Sequence, residues 1–193
     1  MKVAIVQDWL TEMGGAEKVV KEILSIFPGA DLFTLVANKK VLARIGAKSA
    51  TESFLCHLPF AKRHYRKYLQ FYTLAIEGFD LSGYDLVISS SSSVAKGVLT
   101  STNQVHICYC HTPARYIWEL SHKYLKDAGL SSRYNPLAFY ARKVMHKFRM
   151  WDVASANRVD YFIANSHLVA KRIQKVYKRD SQVIYPPVDV DYY

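Results

Sequence analysis

Residues 3–37 read VAIVQDWLTEMGGAEKVVKEILSIFPGADLFTLVA. Residues 3–6 are apolar without alternation, the pattern of a strand buried on both faces, as in a parallel sheet. A short loop with Gly14 and Gly15 follows. Residues 16–27 then show helical spacing, with Val19, Val20, Ile23, Leu24 and Phe27 on one face and Lys18, Lys21 and Glu22 away from it. Pro28 and Gly29 stop the helix, and residues 30–37 read as a second strand. Strand, glycine turn, helix and strand make a βαβ unit with an expected right-handed crossover.

The alternation continues downstream. Short helix 41–45, short strand 51–55, helix 59–74, strand 85–89, strand 105–110, long helix 135–157, strand 159–164, helix 166–177 and strand 182–185 are predicted. The long helix is expected to face inward through Leu137, Tyr140, Val144, Phe148 and Trp151. This order implies an α/β fold with a doubly wound, mostly parallel, Rossmann-like sheet. Pro186 and Pro187 cannot continue a ladder, so one domain is expected over residues 1–187, with 188–193 starting a linker. A frayed terminus is the other reading of that end.

The 193 residues are half hydrophobic and hold 14 Tyr, 9 Phe and 3 Trp, enough for one well-buried domain. No run of about 18 apolar residues occurs, and the opening apolar run is too short for a signal-peptide core. A cytoplasmic protein with three reduced thiols is therefore expected. The net charge of +10 favours anionic partners: nucleic acid, anionic lipid or phosphorylated small molecules. A nucleic-acid or anion-binding module is therefore the competing reading, and the absence of a recognition-helix, RRM or KH pattern counts against it.

Several segments offer chemistry. Gly14 and Gly15 let backbone amides approach a phosphate at a helix start, or form a plain strand-to-helix turn. His111 ends a predicted strand, where it can bond a sugar hydroxyl, exchange a proton, or cap the strand structurally. Arg115 suits a phosphate through its planar fork. Cys108 and Cys110 share a strand face, but a zinc site lacks a second ligand pair of fitting spacing. Residues 89–93 are all serine and read as a polar turn. Lys62, Arg63, Arg66 and Lys67, set among Tyr and Phe without an acid, suit an anionic membrane surface or a solvated face.

Four segments carry a resemblance: GGAEKVV at 14–20, CYCHTPARYIW at 108–118, YFIANSHLVAKRI at 161–173 and VIYPPVDVDYY at 183–193. Together they resemble the N-terminal domain of retaining, GT-B-fold glycosyltransferases of family 4, nearest to mannosyltransferase-like members. The resemblance implies transfer of a sugar from a GDP- or UDP-sugar to a glycan or lipid-linked acceptor, with no metal. It places Gly14 and Gly15 near the donor diphosphate and His111 near the transferred sugar. Asn165, Ser166 and Arg115 would line the cleft, with the basic segment toward a membrane-bound or phosphorylated acceptor. The family's paired glutamates belong to a second, donor-binding domain, so this chain alone is expected to be inactive.

Overall fold

The computed structural model describes residues 1–132 and 134–188. Its elements are β1 (Val3–Gln7), α1 (Gly15–Ile26), β2 (Asp31–Thr34), α2 (Lys39–Arg44), β3 (Thr51–Glu52), α3 (Ala61–His64), α4 (Tyr72–Glu77) and β4 (Leu86–Ser91). There follow β5 (Val105–Cys110), α5 (Ser121–Asp127), α6 (Pro136–Ala156), β6 (Tyr161–Ala164), α7 (His167–Tyr177) and β7 (Gln182–Val183). The seven strands form one sheet in the order β3-β2-β1-β4-β5-β6-β7. Every pairing is parallel. The expected Rossmann-like α/β fold is therefore present. Of the predicted linker, residues 189–193 lie outside the described residues.

Register assigns the two faces. Ala4 pairs Val87, Ser89 pairs Cys108 and Cys108 pairs Phe162, so these residues share a face. That face packs on Ile76, Phe148, Val169 and Ile173 from α4, α6 and α7. Ile5 and Leu32 on the other face pack on Val20 of α1 and Val41 of α2. Burial on both faces is why these strands read as continuous apolar runs rather than alternating ones.

β4 runs through Ser91, two residues past its predicted end. Ser89, Ser90 and Ser91 are buried, and the β5 side supplies partners. Ser89 Oγ lies 2.8 Å from His106 Nε2, and Ser90 Oγ 2.8 Å from His111 Nε2. Burying hydroxyls is tolerable only when they are bonded, and the imidazoles meet that need.

Asp8, one residue past β1, is 1% exposed. Its Oδ1 accepts from the Val94 and Ala95 amides, each at 2.7 Å. Its Oδ2 accepts from the Ser92 amide at 2.6 Å and the Ser92 hydroxyl at 2.9 Å. The carboxylate thus fills the amide concavity after β4. Burial pushes its pKa up, while these donors pull it down.

A second buried pair lies behind. Lys96 Nζ contacts Asp152 Oδ1 at 2.7 Å, with side chains 1% and 0% exposed. Lys96 also bonds Ser155 Oγ and sits 5.1 Å from the ring centroids of Trp151 and Tyr177. Asp152 Oδ2 accepts from Trp118 Nε1 at 2.7 Å and from Tyr177 Oη at 3.1 Å. Neighbouring Gly97 is required by proximity, since a Cβ there would meet Trp151 ring carbons at 2.3 Å.

β2 and β7 are shorter than their predicted spans of 30–37 and 182–185, and three other predicted elements differ more. The helix expected over 59–74 is broken into α3, a 3-10 stretch Tyr65–Phe71, and α4. Ring-bearing side chains lower helical propensity there, and tertiary contacts set the path. Tyr65 and Tyr72 pack on Trp9 (centroids 5.2 and 6.0 Å), and Tyr68 Oη donates to the Pro59 carbonyl at 2.7 Å. Strand 51–55 shrinks to Thr51–Glu52 because Ser53 caps a 3-10 turn over Phe54–His57. In α6 the inward positions are Ala138, Phe148, Asp152, Ser155 and Ala156, whereas Leu137 and Tyr140 are exposed. Small and polar residues on the inner face are passed over by a count of apolar spacing.

Replacing Asp8 with Ala strands the buried amides of Val94 and Ala95. Urea unfolding should show a loss of about 3 kcal/mol or more, taking one to a few kcal/mol for each unsatisfied group. A loss under about 1 kcal/mol would mean that the carboxylate is not what secures this turn.

Candidate functional site

Because all strands are parallel, their carboxyl ends share one edge, the edge at which open α/β sheets bind ligands. There, a cleft of about 520 Å³ is lined by residues from five regions. Trp9 follows β1, Ser92 follows β4, and Thr112, Arg115, Tyr116, Leu120 and Tyr124 come from the segment after β5. Arg66, Leu69 and Tyr72 come from the broken helical segment and Met145 from α6. The lining is mostly aromatic and aliphatic, with two guanidinium groups, a composition suited to a small organic ligand.

The rings are fixed from behind. Trp9 rests on Tyr65 and Tyr72. Tyr116 contacts Tyr124 and Phe148 edge-on, and its hydroxyl meets Ser93 Oγ at 2.5 Å. Trp118, tied to Asp152, anchors the same segment two residues on. Arg149 Nη1 donates to the Ile117 carbonyl at 2.9 Å. Tyr72 differs from these, since its hydroxyl is buried and has no hydrogen-bond partner.

Arg115 lines this cleft and makes a 3.5 Å contact with Glu119. Glu119 is also held bidentately by Arg172 of α7, at 2.7 and 2.9 Å. Arg66 lines the cleft as well and sits 5.4 Å over the Tyr65 ring. Lys62, Arg63 and Lys67 are exposed beside it, with Lys62 paired to Glu52 at 3.0 Å. Sequence reasoning set Arg66 on a surface helix; the break in that helix turns it into the cleft.

Gly14 and Gly15 lie in the loop that opens α1. The Gly14 amide donates to Glu17 Oε2 at 2.9 Å, so the helix caps itself there. Gly15 has open space where a side chain would stand. Glu17 is buried, and desolvation, with the nearby Asp8 charge, raises its pKa. His111 leans on Tyr109 (centroids 5.2 Å) and bonds Ser90. Burial lowers its pKa to about 4, so it is a neutral hydrogen-bonding group at pH 7.

Asn165 follows β6 directly, its amide 3.4 Å from the Cys110 carbonyl. Ser166 caps α7, accepting from the Val169 amide at 3.3 Å and donating to Asn165 Oδ1 at 3.1 Å. The two therefore stand on the same sheet edge as His111 but do not line the cleft of Arg66 and Arg115. Cys108 and Cys110 are buried against Phe162 and Ala164. Among the described residues no three His, Cys, Asp or Glu side chains gather as metal ligands would. Among them, too, no helix is long and apolar enough to cross a membrane.

Sequence reasoning missed Trp9, Tyr72, Tyr116 and Tyr124 as lining residues. Trp9 and Tyr116 each had a signal, as large rings just beyond a predicted strand. Tyr72 and Tyr124 had none, because the broken segment and α5 were not foreseen.

The sequence profile described as Glycosyltransferase Family 4 matches residues 13–192. No curated protein matches the chain. Among solved structures, the chain is similar to HepE of Anabaena crystallised with UDP-glucose. That match has 16% identity and a TM-score of 0.54, covering 100% of this chain and 46% of HepE. HepE crystallised with UDP and glucose gives 15% identity and a TM-score of 0.55, again covering 100% and 46%. At such identity the likeness is one of fold. The chain spans just under half the length of these neighbours.

Burial holds both His106 and His111 at a pKa of about 4, against an ordinary 6.5. The unfolded chain then binds more protons than the native one below pH 6.5, so stability falls as pH drops toward 4. Asp8 and Glu17, raised by burial, act in the opposite sense nearer pH 4. Between pH 6.5 and 5.5, the urea midpoint should fall with pH, and His111→Gln should make that fall shallower. An identical slope in the variant would show that His111 is not buried in neutral form.

Proposed function

Taking as premise that the chain belongs to glycosyltransferase family 4, we propose that it is the acceptor-side half of a GT-B sugar-nucleotide glycosyltransferase. The observation that carries this is the aromatic cleft at the carboxyl edge of the sheet, the edge at which α1 also begins. In this reading, residues 1–187 are the acceptor domain and the following residues lead to a donor-binding domain. The cleft of Trp9, Arg66, Tyr72, Arg115 and Tyr116 receives a glycan or lipid-linked acceptor. Arg115 orients it, and Asn165 and Ser166 border the interdomain groove on the far side.

The donor is a nucleoside-diphosphate sugar. HepE, similar in fold, is bound to UDP-glucose and to UDP, which supports a uridine nucleotide over a guanosine one. The sequence resemblance favours a mannose-like sugar and transfer with retention. Gly15 offers the α1 amide end to the diphosphate, while neutral His111 bonds the transferred sugar and supports the developing charge at its anomeric centre. Proximity of both substrates and neutralisation of the diphosphate supply most of the rate in such a transfer. One wall provides neither in full, so the 193-residue chain alone is inactive.

A peripheral place on the cytoplasmic face of a membrane fits the surface. Phe60, Phe71 and Leu74 are exposed beside Lys62, Arg63, Arg66 and Lys67. Across a groove, α6 presents Tyr140, Lys143 and Lys147. Residues 53–76 contain no acid, so this surface pairs rings with cations as anionic interfaces require.

Two measurements test the reading. The protein extended through the coding sequence beyond residue 193 should transfer labelled sugar from a UDP- or GDP-sugar, and the 193-residue chain should not. No transfer from any sugar nucleotide by the longer protein sinks the assignment. The chain should also cosediment with phosphatidylglycerol vesicles but not with phosphatidylcholine ones. Replacing Lys62, Arg63 and Lys67 with Gln should release it.

A further inference from the structure

The acceptor reading leaves open what kind of molecule the cleft selects, and three features bear on that. The first is charge. Two guanidinium groups, Arg66 and Arg115, face one cleft. Among the described residues no acid pairs with Arg66. The single acid near Arg115, Glu119, is already held at 2.7 and 2.9 Å by Arg172 and touches Arg115 only at 3.5 Å. Below the cleft, Asp152 is neutralised by Lys96, while Asp8 is turned to the amides of residues 92–95 and keeps its charge behind the cleft floor. Two guanidinium forks without a carboxylate of their own therefore face the ligand space, and together they suit the several oxygens of a phosphoryl group better than a single carboxylate.

The second feature is the Tyr72 phenol. The residue is 2% exposed, its hydroxyl has no partner, and it lines the same cleft. A buried hydroxyl without a partner costs free energy, and an acceptor atom of a ligand in this cleft would remove that cost. Burial pushes its pKa far up, so it stays a donor at any working pH. The third feature is the wall. Leu69, Leu120 and Met145, continued by the faces of the Trp9, Tyr116 and Tyr124 rings, form an apolar wall that suits a hydrocarbon chain.

We propose, resting on the acceptor reading above, that this cleft selects an acceptor bearing a phosphoryl group next to an apolar chain. The phosphoryl oxygens lie between Arg66 and Arg115, one oxygen accepts from Tyr72 Oη, and the chain lies along the aromatic and aliphatic wall. The source is a lipid phosphate headgroup rather than a soluble phosphate. The segment that contributes Arg66, Leu69 and Tyr72 to the cleft also carries the exposed Phe60, Phe71 and Leu74, so a lipid-borne ligand reaches the cleft from the surface beside it.

The test titrates the 193-residue chain with decyl phosphate below its micellar concentration, following tryptophan fluorescence and calorimetric heat. Inorganic phosphate, glucose 6-phosphate and decyl glucoside serve as comparison ligands. Saturable binding of decyl phosphate is expected, with inorganic phosphate and glucose 6-phosphate at least about tenfold weaker. Arg66→Gln and Arg115→Gln should each weaken decyl phosphate by about tenfold, and Tyr72→Phe by about threefold, with unchanged far-UV spectra and urea midpoints within error. Arg115→Lys should recover part of the loss. Equal binding of inorganic phosphate or glucose 6-phosphate would keep the phosphoryl site and overturn the lipid source. Decyl phosphate binding that is indifferent to both arginines overturns the proposal. So does decyl glucoside binding as tightly with the same sensitivity to Tyr72, although the acceptor reading then survives with a neutral ligand. Failure of sugar transfer by the longer protein is read in a separate assay, so loss of the parent reading is recognisable on its own.

Discussion

The Asp8 carboxylate decides where a ligand can sit in this fold. In a doubly wound sheet, the crevice at the reversal of strand order is the natural binding place. Here the reversal falls between β1 and β4. The amides after β4 converge on that crevice, and in many folds such a concavity takes a phosphate. In this chain it takes Asp8, at 2.6 to 2.9 Å. A ligand is thereby displaced outward, into the space between the residue 65–72 stretch and the loop after β5.

The Lys96–Asp152 pair makes that displaced site rigid. Burying two charges is costly, and such a pair adds little net stability unless remaining bonding capacity is met. It is met here: Ser155 serves the ammonium, and Trp118 and Tyr177 serve the carboxylate. These partners come from the turn after β4, the loop after β5, α6 and α7. One buried cluster therefore fixes Trp118, and through it the backbone that presents Arg115 and Tyr116. The gain is in geometry, since a loop otherwise free to wander is held to the sheet edge.

The sheet was legible in the sequence because parallel strands are buried on both faces and leave unbroken apolar runs, as at residues 3–6 and 86–88. Helices α1 and α7 were legible because their apolar residues repeat at helical spacing, with Gly14 and Ser166 at their starts. Of the cleft, Arg115 was legible because it sits in the segment that leaves the end of β5, as His111 does outside the lining. The cleft's other wall depends on where the 59–74 segment breaks. That break is set by Tyr65 and Tyr72 meeting Trp9, far away in the chain, with Tyr68 tied to the Pro59 carbonyl within the segment. Propensity is a local quantity and carries no record of such contacts. The inner face of α6 failed for a related reason, because Asp152 and Ser155 face inward to bond Lys96, and Asp152 also Trp118 and Tyr177.

The α1 end shows why a second wall matters. A helix N-terminus favours an anion, but here Glu17 already supplies one, reaching back to the Gly14 amide. A diphosphate approaching Gly15 meets that carboxylate as well as the partial positive charge of the helix. Burial raises the Glu17 pKa and so softens the repulsion without removing it. The cleft cations Arg66 and Arg115 come from other segments, the stretch between β3 and β4 and the loop after β5, and in the proposed reading they belong to the acceptor. In that reading, the charge needed to hold a nucleoside diphosphate against Glu17 has to come from across the groove. The asymmetry between a strongly cationic acceptor cleft and a self-capped helix end is then what divides labour between the two halves of the enzyme.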